Sequence, residues 1–188
     1  MHSPWSQTAS GDRFDILDPK PEQVQLNDIA TQLAKICRFS GACRGFYSVA
    51  QHSVEVANLL PPEMQAHGLL HDAHEMIVGD LTSPVKRSIH AVYHRREPLK
   101  VLVSRIDAAI FAAFGLPYPM SPQIGSAVQL ADLTMLATER RDLMAPSNHE
   151  WEPLPPPRHE PLWPLSWQDS RDLFLERAKE LWPEGVAA

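Results

Sequence analysis

Apolar residues recur at helical spacing along most of this chain, and prolines and glycines cut the pattern into separate segments. That combination predicts several helices joined by loops. In the second segment Ile29, Leu33 and Ile36 share one face behind a cap at Asn27. Ser48 caps the next helix, with Val49, Val56 and Leu60 inward, and Pro61 and Pro62 end it. A third helix is expected from there to about Gly79. Another runs from about Glu97 to Phe114, with Leu99, Leu102, Val103, Ile106 and Ile110 on one face. Ser121 and Pro122 open a further one carrying Val128, Leu130, Leu133, Leu136 and Leu143. Proline is too dense between about 145 and 165 for regular structure. A capping box from Ser166 to Asp169 starts a last helix through Trp182.

The start of the chain reads differently. In WSQTASGDRFDILDP a Ser-Gly-Asp turn separates two short segments before Pro19, which predicts a hairpin within residues 1–20. The expectation is one domain over 1–188, mainly α, with a small N-terminal β-hairpin. At 188 residues the chain is long enough for one real core.

Composition narrows the function classes. The formal charge of -6 does not suit a nucleic-acid polymer as partner. No run of about 20 apolar residues is present to cross a membrane, and the first residues lack a secretory core. A cytoplasmic protein is expected. Cys37 and Cys43 match no common zinc spacing and are expected as reduced, partly buried thiols.

The third helix contains LLHDAHE. On a helix His71 and Asp72 lie about 100° apart and both can lean toward one ion. Glu75 falls on the same face. An imidazole beside a carboxylate suits a divalent transition metal. His52 and Asp132 each interrupt an apolar stripe mid-helix, where a polar group needs a partner. Spacing alone leaves a structural role open for each, since a lone histidine on an apolar face is more often a satisfied core residue. His67 and His71 have the spacing of a zinc peptidase helix, but Gly68 occupies the place of the general-base glutamate.

The order His52, His71-Asp72, Asp132 resembles the HD-domain phosphohydrolase superfamily. The surrounding CRFSG, FYSVAQHSVEVA, LLHDAHEMIVGDLTSPVK and ADLTMLATE are similar to its 5′-deoxynucleotidase-like branch, which includes phage deoxynucleoside triphosphate hydrolases. The resemblance covers about half the chain. It implies an HD-type helical bundle and one divalent ion (Mn, Co, Fe, Ni, Zn or Mg) held by His52, His71, Asp72 and Asp132. It implies Glu75 and Asp80 as the acidic residues handling water and protons. It implies Arg38, Phe39 and Lys86 as contacts to phosphate and sugar, and a homodimer or larger homo-oligomer.

The expected reaction is hydrolysis of a deoxynucleoside 5′-monophosphate. A deoxynucleoside triphosphate is the alternative substrate, and a weakly catalytic nucleotide-binding regulator the alternative class. Two positions depart from the pattern. Phe39 stands where Trp is common, which implies a reduced preference for deoxy over ribo sugars. His74 stands where a small polar residue is common, and is expected behind the ligands. On the bland side, RREPLK reads as a solvated helix start and ERRDL as an exposed helix face. The proline-rich loop is expected to pack through Trp151 and Trp163 near the site entrance.

Overall fold

The computed structural model describes residues 3–93 and 97–185. It is mainly α-helical with a small N-terminal antiparallel hairpin, as the pattern predicts. Strands β1 (Trp5–Gln7) and β2 (Arg13–Asp15) pair with Ser6 opposite Phe14. The turn between them uses Gly11 at φ +96°, a conformation that favours glycine. Phe14 points inward and is fully buried. Ser10 at the tip donates its N–H and hydroxyl to Asp28 at 2.7 and 2.8 Å. Asp28 is thus buried yet satisfied, and the hairpin is fastened to α1 (Leu26–Lys35). Helix α1 begins after Gln25, so Asn27 lies inside its first turn and is not the cap.

Helix α2 (Val49–Asn58) starts at Ser48, whose hydroxyl accepts from the Gln51 N–H as expected. It is buried almost all round and packs against α1, α3, α7 and α8. A helix covered on every side is a core element, and any polar residue on it must find an internal partner. Helix α3 (Gln65–Leu70) crosses it closely at Gly68, where a Cβ would stand 3.0 Å from the Ala57 Cα of α2 and 2.4 Å from the movable Leu60 Cδ1. Any larger residue there would crowd the α2 backbone.

The single helix expected up to Gly79 is broken. Helix α3 stops at Leu70, residues 71–74 form a tight turn, and α4 covers only Glu75–Val78. Within the turn Ala73 N–H bonds Leu70 O at 3.0 Å and Glu75 N–H bonds Asp72 O at 2.9 Å. These three-residue bonds wind the backbone more tightly than an α-helix. Helix α5 (Ser83–Val92), not anticipated from the sequence, follows with no buried residue.

Helices α6 (Pro98–Ala113), α7 (Pro122–Leu143) and α8 (Trp167–Leu181) appear near the expected bounds. Ser121 and Ser166 cap α7 and α8 through side-chain bonds to Ile124 and Asp169. Arg95 and Arg96 of the RREPLK segment lie outside the described residues. One core cluster joins Phe14, Ile29, Leu33, Val54, Phe111 and Phe174. A second joins Tyr47, Val56, Val128, Met135, Leu143 and Leu162. Each fully buried large side chain contributes about 1.5–3 kcal/mol.

Two inward expectations fail. Leu130 is 60% exposed, and Trp163 is 75% exposed while its neighbour Leu162 anchors the proline-rich loop. Trp151 is half-buried, with the Arg140 guanidinium 5.0 Å from its ring. Cys37 and Cys43 are free and partly buried, as anticipated. No described helix is long and apolar enough to cross a membrane.

Candidate metal centre

Three elements bring the expected ligands together. His52 comes from the middle of α2, His71 and Asp72 from the tight turn after α3, and Asp132 from α7. His52 Nε2 lies 3.2 Å from Asp132 Oδ1 and 3.6 Å from Asp72 Oδ2. His71 Nε2 lies 3.2 Å from Asp72 Oδ2. The rings of His52 and His71 are 5.3 Å apart. His52 is fully buried, while Asp132 keeps more of its side chain open.

The other ring nitrogens settle what these atoms are. His71 Nδ1 is 2.7 Å from the Gly68 carbonyl, which can only accept, so Nδ1 carries the proton. His52 Nδ1 is 2.6 Å from Glu139 Oε1, which holds its proton in the same way. In the neutral imidazoles both Nε2 atoms are lone pairs, buried and without hydrogen-bond partners. They face carboxylate oxygens, so acceptors confront acceptors wherever neither a proton nor a cation stands between them. A shared cation resolves that repulsion, and donors on one ion stand roughly 3 Å apart. The donor set therefore fits a divalent metal. His52, His71 and Asp72 form one group able to hold an ion, and Asp72, His74 and Glu75 form another.

The electrostatics express the same demand for positive charge. Burial pulls the His71 pKa down, but Asp72 beside it overrides this and raises it to about 9. Burial and Arg38 oppose protonation of His52, yet Glu139 and Asp132 shift it upward. Burial works against ionised Asp72, but His71 and His52 hold it well below the usual carboxylate range. A metal ion would take the place of these protons.

Glu139 was missed in the sequence. It belongs to ERRDL, read as an exposed face, but is fully buried. Arg38 Nη2 donates to its Oε2 at 3.1 Å while Oε1 holds His52. The available signal was its position seven residues after Asp132, two turns along the same face of α7. Arg38 is accordingly buried, and its Nη1 reaches to 3.7 Å from Asp72 Oδ2. It bridges Glu139 and Asp72 instead of standing free.

The remaining expected residues line one side. Glu75, the first residue of α4, is buried, with Oε1 3.8 Å from Lys86 Nζ and Oε2 unpartnered. Burial, then the carboxylates of Asp72 and Asp80, push its pKa up to about 9. Asp80 Oδ2 accepts from the Phe39 N–H at 2.9 Å. That bond pins Phe39 and Ser40, both at positive φ of 56° and 52°, a conformation costing roughly 1–3 kcal/mol at each residue. The half-buried Phe39 ring meets Trp151 at 6.5 Å. Lys86 stands on α5 with a half-exposed side chain. His74 Nδ1 lies 3.0 Å from Asp107 Oδ1.

The chain is 38% identical over 178 residues to the uncharacterized protein YfdR of Escherichia coli K12. That match covers 93% of this chain and 94% of YfdR. This chain belongs to the YfdR family. It is also 35% identical over 159 residues to the uncharacterized protein RCAP_rcc00048 of Rhodobacter capsulatus, covering 80% and 78% of the two chains. No family model matches the chain.

Proposed function

We propose that this protein is a metal-dependent phosphohydrolase of the HD type, acting on a nucleotide and by preference on a deoxynucleoside 5′-monophosphate. One observation carries the reading. Two buried Nε2 lone pairs, fixed by Glu139 and Gly68, meet Asp72 and Asp132 at 3.2–3.6 Å. His52, His71, Asp72 and Asp132 would hold a single divalent ion of the Mn, Co, Fe, Ni, Zn or Mg group. When bound, that ion lowers the pKa of water and withdraws charge from phosphorus.

The chain's own groups account for the rest. Glu75, buried at the edge of the ligands, would lose its own proton once a cation offsets the neighbouring carboxylates, and then orients the attacking water and takes its proton. The water oxygen bonds to phosphorus, the P–O5′ bond breaks, and the leaving O5′ receives the proton that Glu75 took from the water. Asp80 fixes the strained Phe39 backbone and so sets the ring beside the sugar. Lys86 is free enough to neutralise a phosphate oxygen. Arg38 acts mainly by holding Asp72 and Glu139 in place. A cavity of about 590 Å³ flanks Lys86 and His74, walled by Val78, Leu81, Leu99 and Val103. Its size suits a nucleoside, and of the site residues only His74 and Lys86 line it, not Phe39 or the four ligands. We further propose a cytoplasmic homo-oligomer.

The test is a panel of deoxy- and ribonucleotides with product identification, run with added metal and with complete chelation. Metal-dependent release of inorganic phosphate from monophosphates supports the reading. Tripolyphosphate released from a triphosphate moves the assignment to the triphosphate. Activity that survives chelation overturns it, and tight metal-dependent binding without product identifies a regulator.

A further inference from the structure

We infer that Trp151, on the proline-rich loop, is a positioning residue for sugar selection, bracing the Phe39 ring as a wall against a ribose 2′-hydroxyl. The inference rests on the nucleotidase reading above, which sets Phe39 beside the sugar. Phe39 lies on the open side of the site and is half-buried. Its backbone, at φ 56°, is held by the bond from its N–H to Asp80. That bond fixes the backbone and leaves the side-chain torsions to the ring's neighbours. A wall that rejects a single hydroxyl must not swing aside, so what packs on the ring decides whether it selects.

Two groups approach the Phe39 ring. The Arg38 guanidinium lies 5.3 Å from its centre, and Arg38 is itself held by Glu139. The Trp151 ring lies 6.5 Å away, tilted by 58°. Both separations fall within the range of attraction between a ring and a cation or a second ring. Arg140 continues the series, with its guanidinium 5.0 Å from the Trp151 ring. The result is a run of cation, ring, ring and cation that starts at Arg38, the partner of Asp72, and ends on α7.

A simple covering role fits Trp151 poorly. Among the described residues it belongs to neither core cluster, whereas Leu162 of the same loop is 3% exposed and joins the second. The loop that carries it is well fixed. Glu152 pairs with Arg87, the residue after Lys86 on α5, at 3.2 Å. Arg158 reaches Glu55 on α2 at 2.6 Å and donates its N–H to Thr138 on α7 at 3.0 Å. Gln51 on α2 donates to the Trp163 carbonyl and accepts from the Leu165 N–H. Trp151 thus stands as a braced prop on the same two helices that carry His52 and Asp132.

The test assays the full chain on matched deoxy- and ribonucleotides, as mono- and triphosphates, and reads the ratio of their kcat/KM values. An apolar wall rejects an added hydroxyl by no more than about 10²-fold. Within that range Trp151→Ala should lower the deoxy-to-ribo ratio roughly 10-fold, with a rise in kcat/KM for the ribonucleotide. Trp151→Leu, which keeps apolar cover but no ring, should do the same. Trp151→Phe, which keeps a ring, should restore most of the ratio. In a Phe39→Ala chain, Trp151→Ala should change the ratio no further, because the prop has nothing to hold. Each variant is checked for folding by circular dichroism and for retained metal. Equal loss on both sugars overturns the inference, since it marks a structural role. So does an unchanged ratio, a wild type without deoxy preference, or a full effect in the Phe39→Ala chain. A wild type that hydrolyses no nucleotide overturns the nucleotidase reading as well.

Discussion

The two sides of the site are built on different principles. One side comes from α2, the turn after α3, and α7. There His52, Glu139, Arg38 and Asp72 form a largely buried chain of ion pairs and hydrogen bonds. The other side comes from Asp80, α5 and the proline-rich loop. Helix α5 buries none of its residues, and Lys86 and Trp151 remain partly open. The buried side is a fixed template whose parts fail together. The open side can be altered residue by residue at little cost to the fold.

The sharpest break in that contrast should come from Asp72. Asp72→Ala removes the carboxylate shared by His71, His52 and Arg38. Bound metal and activity should fall to background together, measured by metal analysis and phosphate release. Glu75→Gln should keep the ion held by His52, His71, Asp72 and Asp132 and still lose roughly 10²–10⁴-fold in kcat. Loss of that ion in this variant would make Glu75 part of the template.

Glu139→Ala probes the deepest layer. It strands buried Arg38 and frees His52 Nδ1. Stability should drop by about 3–5 kcal/mol in denaturant titration, and metal affinity by roughly 10–100-fold. Lys86→Ala should instead leave stability within about 0.5 kcal/mol, and raise the KM for a nucleotide while metal content stays constant. A stability loss as large as that of Glu139→Ala would erase the distinction between the two sides.

The smallest effect concerns pH. His67 on α3 is buried with neither ring nitrogen partnered, and burial lowers its pKa from the ordinary 6.5. The unfolded chain therefore binds a proton here that the folded chain resists. The stabilisation is present in full above about pH 6.5 and is lost as pH falls below it. His67→Phe, packing against Phe111, should flatten that part of the stability profile relative to wild type. An unchanged slope in chemical denaturation between pH 7 and 5 would assign the acid sensitivity to other groups.

The sequence by itself determined the elements whose information is local. Ser48, Ser121 and Ser166 mark helix starts through their own side chains, and the Ser-Gly-Asp turn marks the hairpin. It also nominated His52, His71, Asp72 and Asp132, through the adjacent His-Asp pair, the polar interruptions at His52 and Asp132, and the motif resemblance that joins the four. Tertiary structure decided the rest. Asn27 has the chemistry of a cap, but the chain enters α1 two residues earlier. The apparent helix through HDAHE tightens into a turn, and helix periodicity alone does not register one turn of tighter winding. Glu139 looked solvated because its neighbours Arg140 and Arg141 are, yet the packing of α7 against α2 buries it beneath His52. Helix α5 carries an apolar stripe of Val85, Ile89 and Val92, but the fold leaves that stripe outside the core. Local backbone preference is written residue by residue. Which charge lies under which histidine depends on contacts between residues 87 apart in the chain, and only the packed helices supply them.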